Sequence, residues 1–318
     1  MTIKSDVLKI LEQNRNISIS GQELAKQLNV SRMSICKVIK KLKEEGYNIE
    51  ASTNKGYMLL DNNDILSSEG ISCYLDKKMD IYAYKTIDST NTQMKKFAVD
   101  NHVDYALIVA EHQSAGRGRF NRVFYSPEKQ GIYMSLLLRY NQTFNDATLI
   151  TIQSAVAIKR VIKKLCGIDT KIKWVNDLYY QGKKICGILT EAISDFESGM
   201  IEAIIIGIGI NVSTKQLPEE LLDKATSLGI ENINRSKFIA LIVNEILKII
   251  DEDFDNVLNE YKDASCVLNK KVEFRYKGQI YNGIAKDINS LGNLIVKCDN
   301  QEYTLNSGEV SIIQKNYE

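Results

Sequence analysis

The apolar residues change their repeat period twice along this chain, and that change constrains the fold more than any single motif. Through Gly46 they recur at helical spacing. From there to Cys266 buried-strand runs alternate with long amphipathic stretches. Beyond it only short alternating runs remain, separated by turn residues. Three patterns within 318 residues predict an α+β multidomain chain with boundaries at 1–62, 63–266 and 267–318. Only two prolines, Pro127 and Pro218, interrupt it.

Residues 1–60 read as three short helices and a hairpin. Val7, Leu8, Ile10 and Leu11 give the first helix an apolar face. Ser20-Gly21-Gln22-Glu23 is a capping box that opens a second helix through Leu28. Asn29-Val30 turns the chain, and Ser31 caps a third helix with a buried stripe of Ile35, Val38, Ile39 and Leu42, ended by Gly46. This is the helix-turn-helix outline. Tyr47–Glu50 and Gly56–Leu59 would form a wing around the polar tip Ser52-Thr53-Asn54-Lys55. The segment holds eight Lys and two Arg against one Asp and five Glu, a net charge of +4. Ser31, Arg32, Ser34, Lys37, Lys40 and Lys41 are the candidate DNA contacts, the basic ones suited to phosphate. A solvated helix face is the alternative for a basic helix alone; the winged outline favours DNA.

The whole chain carries a net charge of only +1, so any affinity for nucleic acid must be local. Six cysteines without a CxxC pair read as reduced thiols, and two histidines are too few for a histidine metal cluster. No apolar run is long enough for a membrane span and the N-terminus lacks a signal-peptide core. A cytoplasmic location without a membrane partner is expected.

After the polar link Asp61-Asn62-Asn63-Asp64, Tyr105–Ala110 and Ala203–Ile208 are buried-strand runs, and 146–166 and 236–262 are amphipathic helices. Strands expected at Val272–Tyr276, Gln279–Ile284, Leu294–Lys297 and Gln301–Leu305, with a turn at Cys298-Asp299-Asn300 among others, suggest a small β-barrel.

Four stretches can carry chemistry. Glu111–Arg122 follows a buried strand and interleaves Gly116 and Gly118 with Arg117, Arg119 and Arg122. Glycines let the backbone approach a ligand, and guanidinium forks suit phosphate or carboxylate. So basic a loop repels itself until an anion neutralises it; an exposed basic loop is the alternative. In Lys171–Leu178, Asn176 can orient a purine or ribose and Asp177 can hold Mg²⁺, though an Asn-Asp turn looks the same. Lys184 of Lys183–Leu189 can meet an α-phosphate. Gly207-Ile208-Gly209-Ile210-Asn211 reads as a strand end with Asn211 exposed to a cleft. There is no Ser/His/Asp triad, no paired-carboxylate signature and no Walker A loop. The chemistry left is electrostatic, at a phosphoryl centre.

Taken in order, these stretches resemble the bifunctional biotin–protein ligase/biotin operon repressor family. Ser89-Thr90-Asn91 looks like its biotin-binding turn and Gly116–Arg122 like its GRGR loop. Lys173–Asp177 looks like its KWPND motif with Val175 for Pro, and Gly187–Glu191 and Gly207–Asn211 match its remaining core motifs. The resemblance spans the chain. It implies a winged helix-turn-helix, a central mixed α/β ligase domain similar to class II aminoacyl-tRNA synthetases, and an SH3-like C-terminal barrel. It implies that Ser89, Thr90, Asn91, Gln113, Gly116, Gly118 and Gly187 surround biotin, and that Arg117, Arg119 and Lys184 grip carboxylate and phosphates, Arg119 and Lys184 as catalytic groups. Arg122, Asn176 and Asn211 would hold the adenylate, with Phe124 against adenine where a Trp often stands. ATP and Mg²⁺ are the implied cofactors, biotin the substrate and biotinyl-5′-AMP the intermediate and corepressor. Implied partners are a biotin carboxyl carrier domain, operator DNA and a second copy of the chain, met through Phe120. A ligand-sensing transcription factor without catalysis would keep the winged helix and pocket, but Arg119, Lys184 and Asp177 argue against it. A lipoate–protein ligase shares this fold; the winged helix and GRGR loop favour biotin.

Overall fold

Hydroxyl caps set the first helices. In this computed structural model, which describes residues 2–52, 55–139, 147–194, 201–214, 217–299, 301–308 and 310–313, α1 (Ile3–Gln13) begins where Thr2 accepts the Ser5 amide. Ser20 accepts the Glu23 amide at 3.0 Å to open α2 (Gly21–Gln27), and Ser31 accepts the Ser34 amide at 3.1 Å to open α3 (Arg32–Glu44). Each cap satisfies an amide that the helix itself leaves unpaired. Asn29 at φ 53° turns the chain between α2 and α3, and Gly46 at φ 95° ends the third helix. β1 (Ile49–Ser52) pairs antiparallel with β2 (Gly56–Leu59), Ile49 facing Leu59. The wing's first strand therefore starts at Ile49, not Tyr47; its tip residues Thr53 and Asn54 lie outside the described residues. Val7, Leu11, Leu24, Ile35, Leu42 and Leu59 close the core of this module, with Val38 and Ile10 partly buried at its edge.

The residues fall into two compact units, 1–83 with 231–241 and 84–230 with 242–318. In the first, the expected polar link is part of the packing. Asn63 is 3% exposed, accepts the Asn48 amide and offers its carbonyl to Arg15 at 2.8 Å. Asp64 takes the Arg235 Nε at 2.6 Å and the Arg235 amide at 3.0 Å. Arg235 is 1% exposed, and this carboxylate matches its buried charge. α4 (Ser68–Ser72), capped by Ser67, completes this region.

The second unit is built on a seven-stranded sheet. Its elements in chain order are β3 (Asp80–Ile87), α5 (Thr90–Asp100), β4 (Tyr105–Gln113), β5 (Gly131–Leu138), α6 (Ala147–Cys166), β6 (Lys171–Lys173), β7 (Asp177–Tyr180), β8 (Lys183–Ser194) and β9 (Ile201–Asn211). The strand order is β3-β4-β5-β9-β8-β7-β6. β5, in the interior of the sheet, is buried at every position. A strand covered on both faces reads as a continuous apolar run, which is why β4 and β9 were legible as buried.

The single helix expected over 236–262 is two helices, α7 (Arg235–Ile249) and α8 (Phe254–Ala264). Asp251-Glu252-Asp253 places negative charge where α7 presents its carbonyls, which opposes continuation. Asp253 then accepts the Asp255 and Asn256 amides at 3.0 and 3.2 Å and starts α8. Arg160 of α6 fixes the break by reaching Glu245, Glu252 and Glu260 at 3.0, 3.1 and 2.8 Å.

The C-terminal segment adds β10 (Lys271–Tyr276), β11 (Gln279–Ile288), β12 (Leu294–Cys298), β13 (Gln301–Leu305) and β14 (Val310–Ile312), an antiparallel sheet in the order β13-β12-β11-β10-β14. The fifth strand was not expected; Val310–Ile312 is too short to show an alternation. In the turn expected at Cys298-Asp299-Asn300, Asn300 lies outside the described residues, as does residue 146 at the start of the helix expected over 146–166. Gly292, at φ 77°, brings its carbonyl to the Trp174 indole at 2.9 Å. Among the described residues no helix is long and apolar enough to cross a membrane.

Candidate active site and nucleic-acid interface

A chain of polar side chains crosses the middle of the second unit, at the start of α5 and the end of β4. Ser89 caps α5 and is 2% exposed; Thr90 and Asn91 are each 4% exposed. Buried polar groups at such depth need partners. Gln113 Oε1 takes the Thr90 amide at 2.9 Å and lies 3.2 Å from the Thr90 hydroxyl, while its Nε2 donates to Ser126 at 2.9 Å. Ser135 of β5 bonds both the Thr90 hydroxyl, at 2.8 Å, and Asn91 Oδ1. Asn91 Nδ2 donates to Leu189 O at 3.2 Å and Glu191 Oε2 at 2.9 Å, and Lys95 holds the other Glu191 oxygen at 2.7 Å. Sequence reasoning placed Ser89, Thr90, Asn91 and Gln113 together, and they are together. It missed Ser135, Ser126, Lys95 and the role of Glu191.

The glycines explain how side chains reach this surface. Gly187 of β8 faces Gly209 of β9, and Gly207 of β9 faces Ser135 of β5. A methyl on Gly207 would overlap Asn91, and one on Gly209 would lie 2.5 Å from the Phe124 ring. On Gly187 it would meet Lys184 at 3.0 Å. These three positions are seats for Asn91, Phe124 and Lys184, so the GxG stretch is a packing requirement and not a phosphate loop. Phe124 also meets Tyr133 edge-on at 6.3 Å.

Residues 116–124 form a short hairpin. Phe124 N donates to Gly116 O at 2.9 Å and Gly118 N to Arg122 O at 2.8 Å, with Arg117 bridged to Val123. Gly116 is buried under Phe124 O, where a methyl would come within 2.5 Å. Phe120 and Asn121 take φ 55° and 58° at the tip, and Phe120 is 61% exposed. Arg117 and Arg122 are exposed. Arg119 is half-buried, donates to Asn176 Oδ1 at 3.2 Å and lies 5.2 Å from the Phe120 ring centroid.

Beside Arg119, Lys184 pairs with Asp177 at 2.7 Å. Asn176 donates to Ile188 O at 2.7 Å. Two buried aromatics hold this turn from behind: Trp174 through Gly292, and Tyr261, which donates to Val175 O at 3.0 Å. The Trp174–Val175 peptide is cis. One expectation fails here. Asn211 is not exposed to a cleft; it is 6% exposed and donates to Thr226 O at 3.0 Å. It fixes the 224–226 strip whose backbone brackets Lys184, with Lys184 N on Lys224 O and Thr226 N on Lys184 O. The nearby thiols are inert: burial pushes Cys186 well up and Cys266 up to about 11. Among the described residues no group of three His, Cys, Asp or Glu can hold a metal. Asp177, expected from the sequence to take Mg²⁺, is here the ion-pair partner of Lys184. The arrangement can bind a neutral polar ring at one end and an anion at the other.

In the first unit, α3 exposes Arg32, Lys37, Lys40 and Lys41 away from the Ile35–Ile39–Leu42 stripe. Ser31 and Ser34 hydroxyls meet at 2.9 Å. Missed from sequence were Met33, 69% exposed on the same helix, and the Cys36–Tyr57 contact at 3.2 Å that ties α3 to the wing.

The chain matches three family models: an HTH domain over residues 4–58, the Biotin/lipoate A/B protein ligase family over 83–211, and the Biotin protein ligase C terminal domain over 267–312. Helix-turn-helix, ligase sheet and C-terminal module on one polypeptide define a class of DNA-binding ligase. The bifunctional ligase/repressor BirA of Bacillus subtilis is 38% identical over 233 residues, 72% of this chain and 71% of the relative. That of Escherichia coli is 28% identical over 301 residues, 92% of each. Among solved structures, the biotin protein ligase from Aquifex aeolicus in complex with biotin and ATP superposes with a TM-score of 0.63 at 26% identity, covering 73% of this chain and 97% of that one. The chain belongs to the bifunctional biotin ligase/repressor family.

Proposed function

We infer that this protein biotinylates a lysine of a biotin carboxyl carrier domain at the expense of ATP, through biotinyl-5′-AMP, and represses biotin genes through its winged helix. The observation that carries the reading is the meeting, on one sheet, of the Gln113–Thr90–Ser135–Asn91 chain with Arg119–Asn176 and Lys184–Asp177. The first group suits the ureido ring of biotin, the second its carboxylate and the nucleotide phosphates. The biotin carboxylate attacks the α-phosphate of ATP, pyrophosphate leaves, and the carrier lysine then displaces AMP from the anhydride. The attack joins two anions, so Arg119 and Lys184 must offset the repulsion. Mg²⁺ at Asp177 would neutralise the phosphates. Asn176 and Phe124 are assigned to the adenylate. Arg117 and Arg122 are assigned to a closed form of the hairpin, which shields the water-labile anhydride. Asn211 is assigned a positioning role through Thr226.

The adenylate serves as corepressor: ordering the hairpin presents Phe120 to a second copy of the chain, and the dimer binds operator DNA through Arg32, Lys37, Lys40 and Lys41. The protein works in the cytoplasm. A lipoate ligase is the competing reading; lipoate carries no ureido N–H groups to engage Thr90 and Gln113. Incubation with MgATP and either biotin or lipoate, scored for pyrophosphate and adenylate, tests the proposal: adenylate is expected with biotin alone.

A further inference from the structure

The outward face of α3 carries one residue that the charge of the winged helix does not explain. At about 100° per residue, Met33 stands about 160° round the helix from Ile35 and about 180° from Leu42, so it is turned away from the core. It is 69% exposed. Lys37, Lys40 and Glu44 continue the same exposed row at helical spacing. A single exposed methionine is ordinary on a protein surface; its place in the row gives this one its meaning. The first turn of α3 holds Arg32 and no acidic residue, and its amides add the positive end of the helix dipole. Acidic residues appear only at the far end, where Glu44 faces Lys40 at 4.0 Å and Glu45 holds Lys4 at 2.8 Å. The start of α3 is therefore the end free to enter a groove between phosphates, as the second helix of a helix-turn-helix does. There the Ser31 and Ser34 hydroxyls are bonded to each other at 2.9 Å, and Cys36 meets Tyr57 of the wing at 3.2 Å. Arg32 and Met33 are the long side chains left to reach a base edge.

We propose that Met33 is a specificity-determining residue of the DNA-binding domain and reads the 5-methyl group of a thymine in the operator. The proposal rests on the repressor reading above. A thioether has no N–H or O–H to give a phosphate or a base acceptor. Laid on adenine, guanine or cytosine, it would cover donors and acceptors without replacing their bonds to water. Thymine alone presents an apolar group in the major groove, and that group is the methyl. The cationic side chains of α3 set how tightly a duplex is held, whereas Met33 sets which base pair is accepted at one place.

The test uses the full chain with biotin and MgATP to select sites from random DNA duplexes. Binding is then measured by fluorescence anisotropy on the selected site and on copies in which each thymine in turn is replaced by deoxyuridine, which lacks only the methyl. At one thymine, or at its symmetric pair, the replacement is expected to weaken the parent about fourfold per methyl. Met33→Ala should bind the thymine and deoxyuridine sites equally and select sites without a preference at that position. Its salt slope should match the parent's, because no phosphate contact is lost. Met33→Leu should keep the preference for the methyl. Met33 is exposed, so both variants should melt as the parent does. The proposal is overturned if no single methyl matters to the parent, if its loss costs Met33→Ala as much as the parent, or if Met33→Ala lowers the salt slope. A parent that selects no site in the presence of both ligands overturns the repressor reading instead.

Discussion

Gly207→Ala tests whether the GxG stretch is a seat for Asn91. The added methyl would lie 2.7 Å from both Asn91 Cγ and Nδ2, and closer still to Oδ1. Ordinary carbon contacts are about 3.5–4.0 Å, so Asn91 must move by roughly 1 Å or rotate away. It cannot do so and keep its bonds to Leu189 O, Glu191 and Ser135. Each is worth about 1 kcal/mol net, so about 3 kcal/mol of order in the ring site is at stake, or roughly a hundredfold in affinity. Gly209→Ala strikes the Phe124 ring instead, at 2.5 Å, and leaves Asn91 untouched. Calorimetric titration with biotin alone should show the large loss for Gly207→Ala and a loss below tenfold for Gly209→Ala. Steady-state kinetics should show the reverse for ATP. Equal losses of both ligands in both variants would refute the reasoning and make the glycines mere sheet packing.

Arg119→Gly should form biotinyl-AMP and release it about 10–150 times faster, since one charge-assisted bond is worth about 1.5–3 kcal/mol; a blot of an unrelated lysine-rich protein would show stray biotin, and a clean blot would count against the clamp. Phe120→Gly relieves a left-handed residue at φ 55°, so the hairpin should fold normally while sedimentation with biotin and ATP shows weaker dimers. Arg32→Ala or Lys37→Ala should weaken operator binding and reduce its salt slope by about one unit if the lost contact is to phosphate. Asp177→Asn frees Lys184 from its 2.7 Å partner; the KM for Mg²⁺ should rise severalfold while salt inhibits ATP binding more steeply, and an unchanged Mg²⁺ dependence would remove Asp177 from the metal.

What could be read from the sequence was local or periodic. Ser20, Ser31 and Gly46 announce themselves by type and spacing, and each caps or ends the helix expected of it. The runs at Tyr105–Ala110 and Ala203–Ile208 are continuous because both faces are covered. The break between α7 and α8 was available in Asp251-Glu252-Asp253, but the apolar period carries across it and hid it. The partners of the site were not available. Asn91 and Glu191 are 100 residues apart, and Ser135 lies 44 from Asn91. No pattern in one sequence links a serine inside an apolar strand to a turn asparagine. The anchors of Trp174, inside the motif, and of Tyr261, behind it, were hidden for the same reason: their polar tips reach Gly292 O and Val175 O, contacts that only the folded chain creates. The polar link at Asp61–Asp64 looked like a spacer because its partners, Arg15 and Arg235, lie elsewhere in the chain.

The two ends of the site obey different physics, and that difference bears on how a single pocket can hold a reactive intermediate without being blocked by itself. At the ring end, neutral groups are already bonded to one another, so little reorganises when a ring of matching polarity enters. At the phosphate end, the charges are already paired: Lys184 with Asp177 at 2.7 Å, and Arg119 with Asn176 at 3.2 Å. Those partners keep cationic side chains from repelling one another across a half-buried space, yet each can be exchanged. A phosphate offers Lys184 a stronger acceptor once Asp177 is neutralised, and offers Arg119 two charged oxygens in place of one amide oxygen. The exchange makes ATP binding depend on charge compensation, whereas ring recognition depends on shape and hydrogen-bond direction. Salt should therefore weaken ATP more than biotin, whose ring is neutral and whose single carboxylate is its only charge, and on the proposed function the same asymmetry would let the hairpin carrying Arg119 respond to the adenylate while the Thr90 end stays rigid.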